Sequence, residues 1–221
     1  MSLIAICQKL CHNYLTLINF HKAVMNKVPT KIYAKIKSRA KSGWVCSPSD
    51  FLDIGSRDAV DQALSRMAKN GVIRRVARGL YDLPIFNAML NGFSPTSLDQ
   101  IIPAIARRGS IRIINDNIVH ANGLGLTNAV PAKLVYLTDG PSKTINAGGW
   151  SLRLKHASPA FMRNATSLSG PLFQALVWIG KNGAKADSLS SLIKTKVSGD
   201  VMLDMRKRVN QLPVWMTSVI G

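Results

Sequence analysis

The chain has 221 residues, of which 47% are apolar, so it can bury the core of one large domain or of a few small ones. Its net charge of +18 favours a polyanionic partner such as nucleic acid, the alternative being a protein that is merely basic. All 11 acidic residues are aspartates, which excludes acid–base chemistry by glutamate. No apolar run is long enough to span a bilayer, and the cysteines are few and odd in number. We therefore expect a cytoplasmic protein with no membrane partner.

Residues 1–25 form an N-terminal extension that is mostly apolar. They resemble a signal peptide only weakly, because no small-residue cleavage site follows the apolar core. We expect either a non-native upstream start, with Met25 just before the globular pattern, or a loosely attached helix. Cys7, Cys11 and His12 lie close together, but no fourth ligand follows at a familiar zinc spacing, so free thiols and no metal are expected.

Residues 26–86 show the element order of a winged helix-turn-helix domain. A first helix is predicted over 29–41, with Thr30 as its N-cap and Gly43 as its end, followed by a short strand at 44–46. Residues 47–50 then open a second, short helix.

The stretch 55–84 predicts a helix, a glycine stop and a basic hairpin. Ser56 is a good N-cap, apolar residues recur at helical spacing up to Met67, and Asn70-Gly71 ends the helix. Two strands are predicted over 72–76 and 79–83, with Ala77-Arg78 as the tip between them. In a winged helix such a helix enters the DNA major groove, and the hairpin lies along the phosphate backbone.

The polar residues of this stretch are the candidate DNA contacts. Three arginines within five residues of a hairpin repel each other unless an anion lies near, and arginine binds phosphate in bidentate fashion. The alternative for the helix residues is an ordinary solvated face. The residues expected to face base edges or phosphates are Ser56, Arg57, Gln62, Ser65 and Arg66; those expected to hold the backbone are Lys69, Arg74, Arg75 and Arg78.

Residues 87–95 are rich in Asn, Gly, Ser and Pro and are predicted to be a linker, and residues 96–221 an α+β domain with C-terminal helices. Helices are predicted over 97–107 and 117–124, strands over 110–114 and 132–137, a hairpin return over 143–146, and an alternating strand over 150–156. From residue 169 onwards the pattern is helical. The predicted fold class is α+β.

The motifs of common enzymes and cofactor sites are missing from the sequence. No Walker loop, zinc pair or serine-hydrolase elbow occurs, and the glycines at 123 and 125 lack the third glycine of a dinucleotide fingerprint. A non-enzyme without cofactor is therefore expected. The alternative hypothesis is an enzyme that uses Asp116, His120 or Asp139. A pocket that contains all three side chains would favour this hypothesis.

Several stretches of the chain together match the pattern of a known family. They are Gly43-Trp44-Val45, Asp50-Phe51-Leu52, Gly55-Ser56-Arg57, Ala59 to Arg66, the wing from Arg74 to Pro84 with its Arg-Gly-Leu-Tyr motif, Ala121 to Leu126, Val135 to Gly140, Trp178 to Lys181 and Leu212 to Met216. Through them the sequence resembles, across about residues 26–220, the AbiEi-like antitoxins of type IV abortive-infection toxin–antitoxin systems. His120 departs from the small residue expected at its position.

The resemblance implies an N-terminal domain that binds operator DNA and represses its own operon. It also implies a C-terminal part that antagonises a nucleotidyltransferase toxin, with direct contact between the two proteins left open. A monomer or weak dimer that is cooperative on DNA is expected. The alternative is a winged-helix transcriptional regulator without a toxin partner.

Overall fold

A computed structural model describes residues 28–129, 131–183 and 187–220, and the prediction for residues 1–25 lies outside them. The fold is mixed α+β with small sheets, and the chain divides into two compact units. Among the described residues, the first unit comprises 28–110 and 146–150, and the second comprises 111–145 and 151–220. No helix in these ranges combines the length and hydropathy needed to cross a bilayer.

The first unit contains three α-helices, two short 3-10 helices and two hairpins within its described residues. In chain order they are α1 (Val28–Ser38), the 3-10 turns Ala40–Ser42 and Pro48–Phe51, α2 (Arg57–Lys69), β1 (Arg74–Ala77), β2 (Leu80–Asp82), β3 (Phe86–Asn87), β4 (Gly92–Phe93) and α3 (Leu98–Gly109).

Helix α2 forms as the sequence predicts. Ser56 is its N-cap and accepts a hydrogen bond from the Ala59 N–H group at 3.4 Å. Its buried residues are Val60, Ala63, Leu64 and Met67, which pack in one cluster with Ile32 and Ile36 of α1 and with Phe51. Burial of this apolar stripe against α1 is the main source of stability for a helix of this length.

The elements before α2 are shorter than predicted. Helix α1 begins at Val28, so Thr30 lies inside it rather than at its N-cap, and a separate 3-10 turn follows. Gly43 ends that turn at a φ of 66°, as a left-handed cap should. The predicted strand at 44–46 is reduced to one bridge between Cys46 and Tyr81, and residues 48–51 form a 3-10 helix that Ser47 and Asp50 cap reciprocally.

The basic hairpin is present, with its turn shifted by one residue. Arg74 pairs with Asp82 and Ala77 with Leu80, and a bulge lies between Arg75 and Ala77. The tip is therefore Arg78-Gly79 rather than Ala77-Arg78. The reason is conformational, because Gly79 takes a φ of 69°, which suits a turn and not a strand.

The predicted linker at 87–95 is a second small hairpin, β3–β4, in which the Phe86 and Phe93 rings meet edge to face at 6.1 Å. Helix α3 follows with Ser97 as its N-cap, and it belongs to the first unit. The first boundary between the units accordingly lies after Ser110, and residues 146–150 return to the first unit, whereas the sequence predicts one boundary at 87–95. Composition marks turns, and a turn inside a unit has the same composition as a linker between units.

The second unit has a helical layer and a four-stranded sheet, whose strands in spatial order are β5 (Ile113–Asn115), β6 (Leu134–Thr138), β8 (Trp150–His156) and β7 (Lys143–Ala147). Strand β7 is the neighbour of β8 and not of β6, so the predicted hairpin return of 143–146 onto β6 is wrong; β6 instead pairs with β8 in parallel. The sequence also misses the helix at Pro159–Ala165. The elements are β5 (Ile113–Asn115), α4 (Asn117–Gly123), β6 (Leu134–Thr138), β7 (Lys143–Ala147), β8 (Trp150–His156), α5 (Pro159–Ala165), α6 (Gly170–Gly183), α7 (Asp187–Lys196), α8 (Gly199–Lys207), the 3-10 turn Val209–Gln211 and α9 (Val214–Ile220).

Candidate nucleic-acid interface

One side of α2 is polar and exposed to solvent. The predicted contact residues on it are all exposed, namely Ser56, Arg57, Gln62, Ser65, Arg66 and Lys69. The Ser56 hydroxyl caps the helix, so its first role is structural. Arg57 Nε lies 2.9 Å from the Asp61 carboxylate, and both side chains are about half exposed. Exposed i,i+4 pairs of this kind are weak, so Arg57 can exchange its partner for a nucleic acid at little cost.

The structure gives Arg74 a different environment from the other two arginines of the hairpin. Its Nε and Nη2 atoms donate to the two carboxylate oxygens of Asp82 at 2.9 Å and 2.6 Å, and Nη1 donates to the Ser94 carbonyl at 2.9 Å. Thr96 adds a hydroxyl hydrogen bond to Asp82 at 2.8 Å, and the Asp82 side chain is 5% exposed. This bidentate pair occupies the guanidinium that the sequence predicts for phosphate, and Asp82 is the anion that relieves the repulsion among the arginines.

Arg75 and Arg78 remain available for a ligand. Both are exposed, and neither side chain has a hydrogen-bond or ion-pair partner in the described part of the chain. Arg75 lies on β1 beside the bulge, and Arg78 lies at the tip of the hairpin. Two unpaired guanidinium groups at these places can each bind a phosphate oxygen pair.

Backbone contacts from distant parts of the chain hold this hairpin in place. Arg108 of α3 donates to the Arg78 carbonyl, and the Gly148 N–H group donates to the Val76 carbonyl at 3.0 Å. Cys46 and Tyr81 exchange two backbone hydrogen bonds of 2.8 Å on the other strand. Sequence reasoning missed all of these partners, because each lies many residues away along the chain.

Four aspartates of the first unit form ion pairs with basic side chains, namely Asp50, Asp53, Asp61 and Asp82. Asp53 pairs with Lys35 at 3.1 Å, and the hydrogen bond from Lys35 lowers the pKa of that exposed carboxyl. Asp50 caps the 3-10 helix and pairs with Arg107 at 3.3 Å, and Arg107 also donates to the Val45 carbonyl. The remaining basic residues therefore give this unit a positive surface potential. The exposed basic residues whose side chains have no hydrogen-bond, ion-pair or ring contact among the described residues are Lys31, Lys37, Lys41, Arg66, Lys69, Arg75 and Arg78.

The alternative hypothesis of an enzyme depends on Asp116, His120 and Asp139, and the two aspartates have local structural roles. Asp116 is the N-cap of α4 and accepts from the Asn117 N–H group at 2.7 Å. Asp139 accepts from Arg112 Nε at 2.9 Å and from its N–H group at 2.8 Å, and these hydrogen bonds lower the Asp139 pKa. His120 is half-buried, and burial lowers its pKa. No cluster of three potential metal ligands occurs among the residues that the structure describes.

Comparison with known proteins places most of the chain in one family. The family model that matches is described as DUF6088, a family of unknown function, and it covers residues 31–198. No curated protein and no solved structure matches the chain.

Proposed function

We propose that this protein, which belongs to the DUF6088 family, binds double-stranded operator DNA through a winged helix-turn-helix formed by the first unit and represses its own operon. The observation that carries the proposal is the exposed polar side of α2, followed directly by a hairpin on which Arg75 and Arg78 have no side-chain partner among the described residues. Helix α2 is then the recognition helix in the major groove, and β1–β2 is the wing along the backbone. The proposal places the protein in the cytoplasm and assigns it no catalysis and no cofactor.

The proposed contacts fall into two groups. Arg75, Arg78 and Lys69 bind phosphates, which position the protein without reading sequence. Arg57 and Gln62 lie in the first two turns of α2, the part of a recognition helix that approaches base edges, and they carry sequence preference. Arg74 is a positioning residue, because its guanidinium is held by Asp82.

The phosphate contacts can be tested by the salt dependence of binding. Arg75→Ala/Arg78→Ala should weaken binding to random and operator DNA alike, and should reduce the slope of log K against log salt by about 1.8, since each lost phosphate contact removes about 0.9. The matched control is Arg163→Ala/Lys207→Ala, which removes the same charge from exposed positions of the second unit. An unchanged slope in the wing variant, or an equal change in the control, contradicts the wing assignment.

We further propose that the protein is an antitoxin for a nucleotidyltransferase toxin. This part rests on the resemblance to AbiEi-like antitoxins, which covers both units. The rival is a regulator without a toxin partner, and a neighbouring gene for a nucleotidyltransferase would favour the antitoxin. The decisive assay is co-expression with that toxin. The Arg75→Ala/Arg78→Ala variant should still restore growth, because antagonism is assigned to the second unit. If the parent protein does not restore growth, the protein is a repressor without antitoxin activity.

A further inference from the structure

One face of the sheet in the second unit is polar and exposed. Strand β8 alternates, with Leu152 and Leu154 buried and with Ser151, Arg153 and Lys155 exposed. Alternate residues of a strand share a face, so the three exposed side chains project from the same side of the sheet. The sequence predicts this alternation and assigns it no function beyond a half-buried strand.

The same face contains an open concavity of about 580 Å³. It is lined by Ala132, Lys133, Leu134, Thr144, Ser151 and Arg153. Lys133 precedes β6, Thr144 lies on β7, and Ser151 and Arg153 lie on β8, so three neighbouring strands bring together two cations and two hydroxyl groups. None of the described residues that line the concavity is acidic.

The polar groups of this concavity are not used by the fold. The side chains of Lys133, Thr144, Ser151 and Arg153 are exposed and have no hydrogen-bond or ion-pair partner among the described residues. Two other arginines of the unit are paired with a carboxylate: Arg112 with Asp139 at 2.9 Å, and Arg208 with Asp204 at 3.1 Å. A lysine and an arginine converge here with hydroxyl donors and without a carboxylate, a combination that favours an anion.

We propose that this concavity binds a phosphate ester. The Arg153 guanidinium offers a planar fork for two phosphate oxygens, and Lys133 supplies a compact second charge. The Thr144 and Ser151 hydroxyl groups donate to the remaining oxygens. The described lining residues include no aromatic side chain, so the site recognises the phosphate and not a stacked base. The proposal concerns the second unit alone and does not depend on DNA binding by the first.

The phosphate can come from a free nucleotide or from the backbone of a nucleic acid. The test uses the full chain and measures binding of AMP, adenosine and a random-sequence DNA duplex by isothermal titration calorimetry at low salt. AMP should bind and adenosine should not, because only AMP carries the phosphate. Binding of the duplex without AMP identifies the backbone phosphate as the ligand and supports the site if the variants below weaken it; duplex binding that these variants leave unchanged belongs to the first unit and overturns the proposal.

Three variants decide the assignment. Lys133→Ala/Arg153→Ala should weaken the phosphate ligand at least about tenfold, because two charge-assisted contacts are lost. Thr144→Val keeps the shape and charge of the site and should weaken binding about two- to tenfold, so it tests the site even if the double variant does not fold. Arg163→Ala/Lys207→Ala removes equal charge elsewhere and should bind like the parent. Binding of neither AMP nor duplex, equal binding of adenosine, or equal loss in the control overturns the proposal.

Discussion

Replacing Asp82 by asparagine should destabilise the first unit while leaving the exposed phosphate contacts in place. The Asp82 carboxylate is 5% exposed and receives two hydrogen bonds from Arg74 and one from Thr96. Removing its charge leaves the Arg74 guanidinium partly buried without a counter-ion. Removing one partner of a fully buried pair costs about 3–5 kcal/mol. The Arg74 side chain is 32% exposed, so water recovers part of that loss, and we expect about 2 kcal/mol.

Urea and thermal unfolding of the full chain measure this loss. A destabilisation of about 2 kcal/mol corresponds to a fall in melting temperature of about 4–8 °C for a chain of this size. Arg75→Ala is the matched control: it removes a neighbouring arginine that is exposed and unpaired, and it should change stability by less than about 0.5 kcal/mol. A double-mutant cycle of Arg74→Ala and Asp82→Ala should return a coupling of about 1–2 kcal/mol.

The contrary result is also specific. Two results together would show that Arg74 binds phosphate. Asp82→Asn would unfold at the same urea concentration and temperature as the parent protein, and Arg74→Ala would reduce the slope of log K against log salt for DNA binding as much as Arg75→Ala does. The ion pair would then contribute nothing measurable to the fold, and the sequence prediction for Arg74 would stand.

The remaining predictions concern the unit boundary, a thiol and a carboxylate. A fragment of residues 28–110 should show a cooperative thermal melt by circular dichroism. A fragment of residues 28–90 should not, because it lacks Thr96, which donates to Asp82, and Arg107, which donates to the Val45 carbonyl. Equal melts of the two fragments would refute this boundary. Burial, together with the nearby carboxylates of Asp50 and Asp82, raises the pKa of Cys46 to about 12. In a Cys7→Ser/Cys11→Ser protein at pH 8, a disulfide reagent should therefore react only after unfolding, and fast native reaction would contradict the burial. Hydrogen bonds from Ser169 and then Arg208 lower the pKa of Asp204, so its stabilising effect is present above about pH 4 and is lost as the pH falls through the lowered value. In Asp204→Asn, the free energy of unfolding from urea titrations should therefore fall less steeply with decreasing pH below about pH 4 than in the parent protein. An equally steep fall in both would exclude a stabilising role for the Asp204 carboxylate.

Local signals in the sequence sufficed for the elements whose causes lie within a few residues. The Ser56 cap, the apolar stripe of α2 and the glycine stop at Gly71 act over one or two turns of chain, and all three are present in the structure. The alternation of β8 is equally local, since each side chain's face follows from its neighbours. The exposed polar side of α2 could therefore be predicted residue by residue.

Other features depend on partners that are distant in sequence, and only the tertiary structure decides them. Arg74 and Arg75 are adjacent and chemically identical, yet Asp82, Ser94 and Thr96 make the first structural and leave the second free. The inclusion of α3 in the first unit, the parallel pairing of β6 with β8, and the meeting of Lys133, Thr144 and Arg153 in one concavity arise in the same way. Residue type and spacing predict which interactions a side chain is able to form. The interactions that it does form depend on the groups that the tertiary structure brings within hydrogen-bonding distance.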